Sequence, residues 1–225
     1  VAAETIALHT IFALMRSTRA RVHLCRISSA EGVALVRDAK AEGLPVTADV
    51  SINSLHLTDH DMGYFDSRAR LVPVLRQQRD RDALQAALAD GTLDVLVSDH
   101  TPVDNDAKAL PFAQAEPGAT GLELLLGLAL KWGEATGAGL MRALDVITAQ
   151  PARLLPDAAS LGLGQLRVGG VADVVVFDPA ATWQVQPQAL RSQGKHTPFA
   201  FDVSGMALSG RVRTTLVDGR IVHAS

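Results

Sequence analysis

An acidic residue and a histidine follow a short apolar segment near the middle of the chain. Asp99 and His100 come directly after residues 93–98 (LDVLVS). A carboxylate or a neutral imidazole can accept a proton or bind a metal ion. The catalytic groups of α/β proteins follow strands in this way. The pattern predicts a polar site at the carboxyl end of a buried strand.

A second group of possible metal ligands lies between residues 56 and 61. His56 and His60 are four residues apart, with Asp59 and Asp61 beside them. Ligation by two histidines at this spacing needs a helix that puts both rings on one face. Because the segment includes Gly63 and lacks a helical pattern, we expect these to be solvated loop residues.

His23 and Cys25 lie in an apolar segment at residues 21–27 (RVHLCRI). We expect His23 to be a hydrogen-bonded core histidine. Cys25 is expected to be an inert, small core residue, because no helix N-terminus or adjacent base is predicted to activate its thiol.

The elements that position these residues alternate between strands and helices. Leu8, Ile11, Phe12 and Met15 have the spacing of a helix with one buried face. A capping box at Ser28 to Glu31 predicts the start of a second helix, which ends near Gly43. The predicted strands are 21–27, 45–51 and 93–98, and the later predicted helices are 80–88, 121–132 and 140–155. Strands that are apolar throughout indicate a parallel sheet covered by helices, either an α/β barrel or a doubly wound sheet.

The pattern changes to β-rich after about Gly162. VADVVVFD, TWQVQ and VRTTLVDGRIVHA each have strand character. Asp218-Gly219 is the dipeptide that a type I′ hairpin turn favours, because both central residues need positive φ. We therefore divide the chain into an α/β part, residues 1–161, and a small β-rich domain, residues 162–225.

Composition excludes several classes of protein. The chain has 225 residues, 48% of them hydrophobic, and a formal charge of −3, as expected for a globular protein. The absence of a Lys/Arg run argues against binding to nucleic acid or an anionic membrane. With one cysteine there is no intrachain disulfide, and no apolar stretch is long enough to cross a bilayer. A cytoplasmic location is the default expectation.

Several motifs together resemble the dihydroorotases, cyclic-amide hydrolases of pyrimidine synthesis. Asp99-His100-Thr101-Pro102 is followed by PF…PG-x-x-GLE, in which Gly118 and Gly121 are expected to be hinge or close-approach positions. Further on come GLGQLRVGGVADVVVFDP, Thr197-Pro198-Phe199 and TTLVDGRIV. The resemblance implies the C-terminal half of a TIM-like (β/α)8 amidohydrolase barrel, strands five to eight, plus a small β domain. It places strands one to four, with a His-x-His metal motif, upstream of Val1.

The positions that the resemblance assigns to the zinc and substrate sites mostly hold other residues. The strand-five histidine is replaced by Arg26 and the strand-six histidine by Asn53, while a substrate-contacting Asn and a His correspond to Val72 and Val103. Only Asp99 is retained, and without a metal we expect it to be structural. An arginine cannot donate a lone pair to zinc. We hypothesise that the guanidinium of Arg26 pairs with Asp99 in place of the metal, and that His100 makes a local hydrogen bond.

Three functional interpretations follow from the resemblance. The first is a non-catalytic homologue, without a cofactor, that acts as the structural partner of aspartate carbamoyltransferase. We expect such a homologue to be oligomeric. The second is an active, zinc-dependent dihydroorotase, and the third is a relative that hydrolyses another cyclic amide with one metal ion. Half a barrel leaves two open sheet edges, so we expect this polypeptide to fold poorly unless a second chain completes the barrel.

Overall fold

Two separate sheets form the framework of the protein. The computed structural model describes residues 1–200 and 205–225. In the first sheet three strands run parallel in the order β1-β2-β3: β1 Val22–Leu24, β2 Val46–Ser51 and β3 Val95–Val97. In the second sheet three strands run antiparallel in the order β4-β5-β6: β4 Val174–Gln184, β5 Ala207–Val217 and β6 Arg220–Ala224. The α/β class and the separate β-rich part are confirmed.

The middle strand, β2, sets the register of the parallel sheet. Val22 pairs with Val46 on one side of β2, and Asp49 pairs with Val95 on the other. Because the three strands are parallel, their carboxyl ends lie at one edge of the sheet. Residues that follow the three strands are therefore brought together there.

Helices alternate with the strands and cover the sheet. The α-helices of the described residues are α1 Ala2–Thr18, α2 Ala30–Ala41, α3 Ile52–His56, α4 Gln78–Asp90, α5 Asn105–Lys108, α6 Leu125–Ala135, α7 Gly139–Asp145, α8 Ala149–Leu154 and α9 Ala158–Leu161. Single 3₁₀ turns occur at Asp59–Met62, Ser67–Ala69, Leu122–Leu124, Pro187–Ala189 and Pro198–Ala200. The fully buried Trp132 and the apolar residues of β2 belong to one continuous core. None of the helices in the described ranges is long and apolar enough to span a bilayer.

The helix predicted at residues 140–155 is divided into α7 and α8. A continuous helix would place Pro151 in its interior, where proline has no N–H to donate to the carbonyl of Ile147. The chain instead turns, and the carbonyl of Val146 accepts a hydrogen bond of 3.1 Å from the backbone N–H of Leu96 in β3. The end of α7 is thereby attached to the parallel sheet.

The parallel sheet is shorter than the resemblance implied. It implied four strands in this half, whereas the described residues form three paired strands and one isolated parallel bridge between His100 and Ala119. This bridge adds a single residue pair after β3 and does not amount to a fourth strand. The segment around Leu71, between α3 and α4, is irregular.

The start of α2 differs from the predicted capping box. Ser29, not Ser28, is the N-cap, and its side chain accepts from the backbone N–H of Gly32. Glu31 lies 3.4 Å from Arg79 instead of returning to the cap. The carboxylate at this position comes from α1: Glu4 accepts hydrogen bonds from the backbone N–H and hydroxyl of Ser28 and from the hydroxyl of Ser29. A carboxylate at a helix N-terminus also interacts favourably with the helix dipole.

The antiparallel sheet packs on the α/β part through α6. A Cβ on Gly127 of α6 would lie 3.0 Å from the side chain of Leu208, which is buried in β5. The predicted hairpin is confirmed, with positive φ at Asp218 (49°) and Gly219 (73°). An apolar cavity of about 530 Å³ lies beside this contact, lined by side chains that include Leu125, Ile147, Phe177 and Val212.

Glu4 offers a direct test of how α1 is held. Replacement Glu4→Gln removes the charge and the ability to accept all three hydrogen bonds, so we expect a loss of about 1–3 kcal/mol in the free energy of unfolding. Urea denaturation measures this loss. Glu134→Gln, at an exposed position of α6, is the matched control and is expected to change stability by less than about 0.5 kcal/mol. Equal effects of the two variants would contradict the anchoring role of Glu4.

Candidate functional site

Arg26 and Asp99 form an ion pair at the carboxyl edge of the parallel sheet. Nη1 of Arg26 lies 3.3 Å from Oδ1 of Asp99 and donates a 3.0 Å hydrogen bond to the carbonyl of Val72. The Asp99 carboxylate is largely buried, whereas the Arg26 side chain is 42% exposed. The pairing hypothesised from the sequence is confirmed.

Both members of the pair have a left-handed backbone. The φ angles are 60° at Arg26 and 47° at Asp99, a region that non-glycine residues seldom adopt and that costs about 1–3 kcal/mol per residue. Asp49 of β2 stabilises the left-handed backbone at Arg26, because its Oδ1 accepts a 2.7 Å hydrogen bond from the backbone N–H of Arg26. The chain therefore turns sharply where β1 and β3 have ended, and both charged side chains reach the same edge.

Little space remains beside this ion pair. A cavity of about 70 Å³ is lined by Arg26, Leu71, Val72, Asp99, Thr101, Pro117, Gly118 and Ala119. Pockets that bind small molecules usually enclose about 300–1,000 Å³. The Arg26 guanidinium and the side chains of Leu71 and Val72 border this cavity, which has room for about one or two water molecules. This half of the site does not by itself enclose a substrate-sized ligand.

The two valines differ in their surroundings. Val72 is 55% exposed at the rim of the cavity, whereas Val103 is buried. Its methyl group packs against Gly118, where an added Cβ would lie 2.9 Å from it. Neither side chain can hydrogen-bond a substrate.

Asn53 is buried, at 4% exposure, in the first turn of α3. Its backbone N–H donates to the hydroxyl of Ser51, the N-cap of that helix. Among the described residues it makes no hydrogen bond to Arg26 or Asp99. Asn53 thus follows β2 by two residues and serves the start of a helix.

The loop after β3 is held by His100 and two glycines. Nδ1 of His100 accepts hydrogen bonds of 3.2 and 3.3 Å from the backbone N–H groups of Gly121 and Leu122, which confirms its predicted local role. A Cβ on Gly121 would lie 2.2 Å from the carbonyl oxygen of Ser98, and one on Gly118 would lie 2.5 Å from that of Thr101. Both glycines are therefore close-approach positions.

The prediction of a solvated loop was wrong for His56. This residue ends α3, and Nε2 lies 3.0 Å from the carbonyl of Leu128 in α6. The His56 and Phe199 rings are arranged edge to face, with their centroids 6.2 Å apart. Burial lowers the pKa of His56 to about 4, although its hydrogen bond to Leu128 acts in the other direction. His60 is exposed, and within the described residues neither histidine belongs to a group of three possible metal ligands.

His23 is hydrogen-bonded through both ring nitrogens, as predicted, but its side chain is half-buried and does not lie in the core. Nδ1 lies 2.8 Å from the hydroxyl of Thr47, and Nε2 lies 3.0 Å from Oδ2 of Asp49. Cys25, by contrast, is exposed and not in the core. Cys25 follows β1, which is an edge strand of the parallel sheet within the described residues. Partial burial and the neighbouring Asp49 carboxylate raise the pKa of the Cys25 thiol, which agrees with low reactivity.

Sequence reasoning missed two charged residues that organise this edge. Asp49 was hidden within an apolar strand, and its signal was an acidic residue in a segment otherwise suited to burial. Lys108 of α5 is almost completely buried, and its Nζ donates to the carbonyls of Ser67 and Arg70 at 3.0 and 3.1 Å. Burial lowers the pKa of this amine to about 8, and the nearby Arg70 adds to the effect. Lys108 thereby links the loop after β3 to the one before α4.

The residues at the edge do not fit the zinc site that the resemblance implies. Zinc needs neutral imidazoles, thiolates or carboxylates as ligands. Here a guanidinium, which is always protonated, bonds to the one retained carboxylate, and Asn53 offers a side-chain amide where the resemblance implies an imidazole. The chain supplies Asp99 alone from the expected set.

The fold and this edge together define a class of protein: a parallel β/α sheet with an acidic residue after its last strand, joined to a small antiparallel sheet, as in metal-dependent hydrolases with a TIM-like barrel. A family model described as "Amidohydrolase family" matches residues 2–223. The chain belongs to the amidohydrolase family. Within it, similarity to proteins named dihydroorotase covers nearly the whole chain.

The relatives are about twice as long as this chain. A "Dihydroorotase-like protein" of Pseudomonas putida is 40% identical over 221 residues, which is 98% of this chain and 50% of that protein. A "Dihydroorotase" of Geobacter sp. (strain M21) is 37% identical over 222 residues, 99% of this chain and 50% of that protein. The chain spans about half the length of the curated relatives it matches.

Solved structures agree with the fold. The L-hydantoinase (dihydropyrimidinase) of Arthrobacter aurescens superposes with a TM-score of 0.85 and 28% identity, covering 97% of this chain and 48% of that one. The dihydropyrimidinase of Brevibacillus agri NCHU1002 gives a TM-score of 0.84 at 24% identity, covering 96% and 47%. The latter likeness concerns the fold alone.

A double-mutant cycle on Arg26→Gln and Asp99→Asn measures the energy of the ion pair. Because the Arg26 side chain is 42% exposed, solvent screening limits the expected coupling energy to about 0.2–1 kcal/mol. Urea denaturation of the four proteins provides the values. A coupling energy indistinguishable from zero would show that the contact does not stabilise this edge.

The partly buried His56 predicts a dependence of stability on pH. Its pKa is lowered from 6.5 to about 4 in the folded state, so the folded protein binds fewer protons than the unfolded chain between these values. Its contribution is complete above pH 6.5 and is lost as the pH falls toward 4, by up to about 3 kcal/mol. We expect His56→Gln to have a smaller loss of unfolding free energy than the parent between pH 7 and pH 4.5, and the exposed His60→Gln to behave as the parent does. An identical pH profile for His56→Gln would contradict the assignment.

Proposed function

We propose that this protein is a non-catalytic, dihydroorotase-like member of the amidohydrolase family that acts in the cytoplasm as a structural partner of aspartate carbamoyltransferase. The single observation that carries the proposal is the contact of the Arg26 guanidinium with Asp99. That contact joins a cation to the acid which, in the resemblance, would bind zinc and accept a proton.

The chemistry of cyclic-amide hydrolysis explains why this contact matters. When zinc is bound in such an enzyme, it lowers the pKa of a water molecule toward neutrality and so supplies hydroxide at physiological pH. A guanidinium can balance the charge of Asp99, but it has no open coordination position for water. Asp99 can still hold a hydrogen bond or an ion pair, and its ion-pair partner among the described residues, Arg26, cannot generate the nucleophile.

The substrate side of the edge supports the same conclusion. The exposed Val72 and the buried Val103 replace groups that could hydrogen-bond a cyclic amide, and a site that cannot make such bonds loses several orders of magnitude in specificity. Two of the similar proteins, from Pseudomonas putida and Pseudomonas aeruginosa, are themselves named dihydroorotase-like. A structural role retains the fold while the site is free to change.

The assay that tests the proposal is turnover of dihydroorotate by the full-length protein, with and without added Zn²⁺. We expect no turnover above background in either condition, and we expect Asp99→Asn to leave both the turnover and the bound zinc unchanged. Zinc-dependent hydrolysis that is lost in Asp99→Asn would instead establish the alternative, an active zinc-dependent dihydroorotase or a related cyclic amidohydrolase.

The double variant Arg26→His, Asn53→His tests how completely the site has changed. We expect it to remain inactive, because Val72 and Val103 still provide no polar contacts to a substrate. The single variant Arg26→His is the control for stability. Recovery of turnover in the double variant would show that the two replaced ligands alone account for the loss.

The partner is tested by co-purification. Affinity-tagged protein at its native expression level is expected to retain aspartate carbamoyltransferase through size-exclusion chromatography, and the two are expected to elute as one oligomer. A tagged protein that elutes alone, while the transferase elutes separately and active, would remove the partner from the proposal.

A further inference from the structure

A second set of possible metal ligands lies on β1 and β2, apart from the guanidinium of Arg26. A nitrogen of His23, the sulfur of Cys25 and a carboxylate oxygen of Asp49 all lie within 4.8 Å of one another. His23 lies in β1 and Cys25 directly follows the last residue of that strand. Asp49 belongs to the neighbouring strand and already lies 3.0 Å from His23.

We propose that His23, Cys25 and Asp49 form a site for one divalent transition-metal ion, with Zn²⁺ as its preferred occupant. One nitrogen, one sulfur and one oxygen ligand, with a water molecule in the fourth position, suit a tetrahedral zinc ion. A hard cation such as Mg²⁺ or Ca²⁺ prefers oxygen ligands only. This site is different from the zinc site implied by the resemblance, which would use the side chains at positions 26, 53 and 99.

The surroundings orient two of the three ligands. The hydroxyl of Thr47 lies 2.8 Å from Nδ1 of His23, and the backbone N–H of Arg26 donates to Oδ1 of Asp49 at 2.7 Å. Partners of this kind fix the ring and the carboxylate of metal ligands, and their loss commonly weakens metal binding 10- to 100-fold. Oδ2 of Asp49 and Nε2 of His23 are left facing each other.

The Thr47 hydroxyl allows His23 to change its tautomer. Without a metal ion, Nε2–H donates to Asp49 and the hydroxyl of Thr47 donates to Nδ1. With an ion bound, Nε2 offers its lone pair to the metal and the ring proton is on Nδ1. The Nδ1–H group then donates to the hydroxyl oxygen of Thr47, and that hydroxyl rotates to accept the bond. Cys25 binds as the thiolate, so one proton is released to solvent for each ion bound.

Access and charge also favour the site. Cys25 is exposed, so the described residues do not enclose its sulfur. Asp49 is a buried carboxylate, and together with the thiolate it supplies two negative charges, which balance the charge of a divalent ion. The nearby guanidinium of Arg26 is bonded to Asp99 and Val72 and shares only its backbone N–H with this cluster.

Equilibrium dialysis of the full-length protein against Zn²⁺, followed by elemental analysis, tests the proposal. We expect saturation at one ion per chain that depends on these side chains. Substitution with Co²⁺ is expected to produce the near-ultraviolet band of a cobalt–thiolate bond. Cys25→Ser should abolish this band and weaken Zn²⁺ binding by at least tenfold, and His23→Gln should weaken binding by a similar factor.

Two control variants separate this site from others. His60→Gln removes an exposed histidine, and Asp99→Asn removes the acid at the carboxyl edge; neither should change the affinity for Zn²⁺ or the cobalt band. Because Cys25→Ser alters an exposed side chain, its melting temperature should match that of the parent, which separates lost binding from lost folding. Absence of saturable binding by the parent overturns the proposal. So does binding that survives Cys25→Ser and His23→Gln, and so does binding that Asp99→Asn abolishes.

Discussion

The parallel pairing of β2 with both of its neighbours is the constraint on which the rest of the structure depends. It fixes the register of β1 and β3 at once, and therefore fixes where Arg26 and Asp99 leave the sheet. Asp49, within β2, adds the second part of the constraint, because it bonds the backbone of Arg26 and the ring of His23. One buried carboxylate thus holds a left-handed turn and orders a polar cluster. A shift of β2 by one residue would reverse the faces of all these side chains.

The ion pair at this edge is a modest source of stability but a strong influence on chemistry. Asp99 is largely buried, and a buried carboxylate without a partner would be destabilising. Arg26 supplies the opposite charge, while most of its own side chain remains near solvent, so the net energy is small. Arg26 stands where the resemblance implies a histidine. It therefore removes a neutral ligand and introduces a cation that repels metal ions. An arginine at position 26 is therefore compatible with a stable fold.

Local patterns in the sequence predicted most elements of the fold, and the errors lie where distant residues decide. The hairpin at Asp218-Gly219 was predictable because its turn needs only local backbone geometry. The break between α7 and α8 was not anticipated, although Pro151 was visible, because the bond from Leu96 that secures it comes from a strand 50 residues earlier. In the same way Glu4, rather than Glu31, completes the start of α2, and Leu128 and Phe199 bury His56. The pair of Arg26 and Asp99 was predictable because each residue lies two positions after the end of a parallel strand.

A fixed guanidinium differs from a metal ion in what it leaves available. A metal ion can exchange a ligand for water or substrate, whereas each N–H of Arg26 points in a direction set by its planar group. Here one nitrogen serves both Asp99 and the carbonyl of Val72, which joins the loop after β3 to the segment before α4. Lys108 joins the same two regions from the other side, through Ser67 and Arg70. Two cations therefore donate to main-chain carbonyls near this edge, and together they tie the loop after β3 to the segment between α3 and α4.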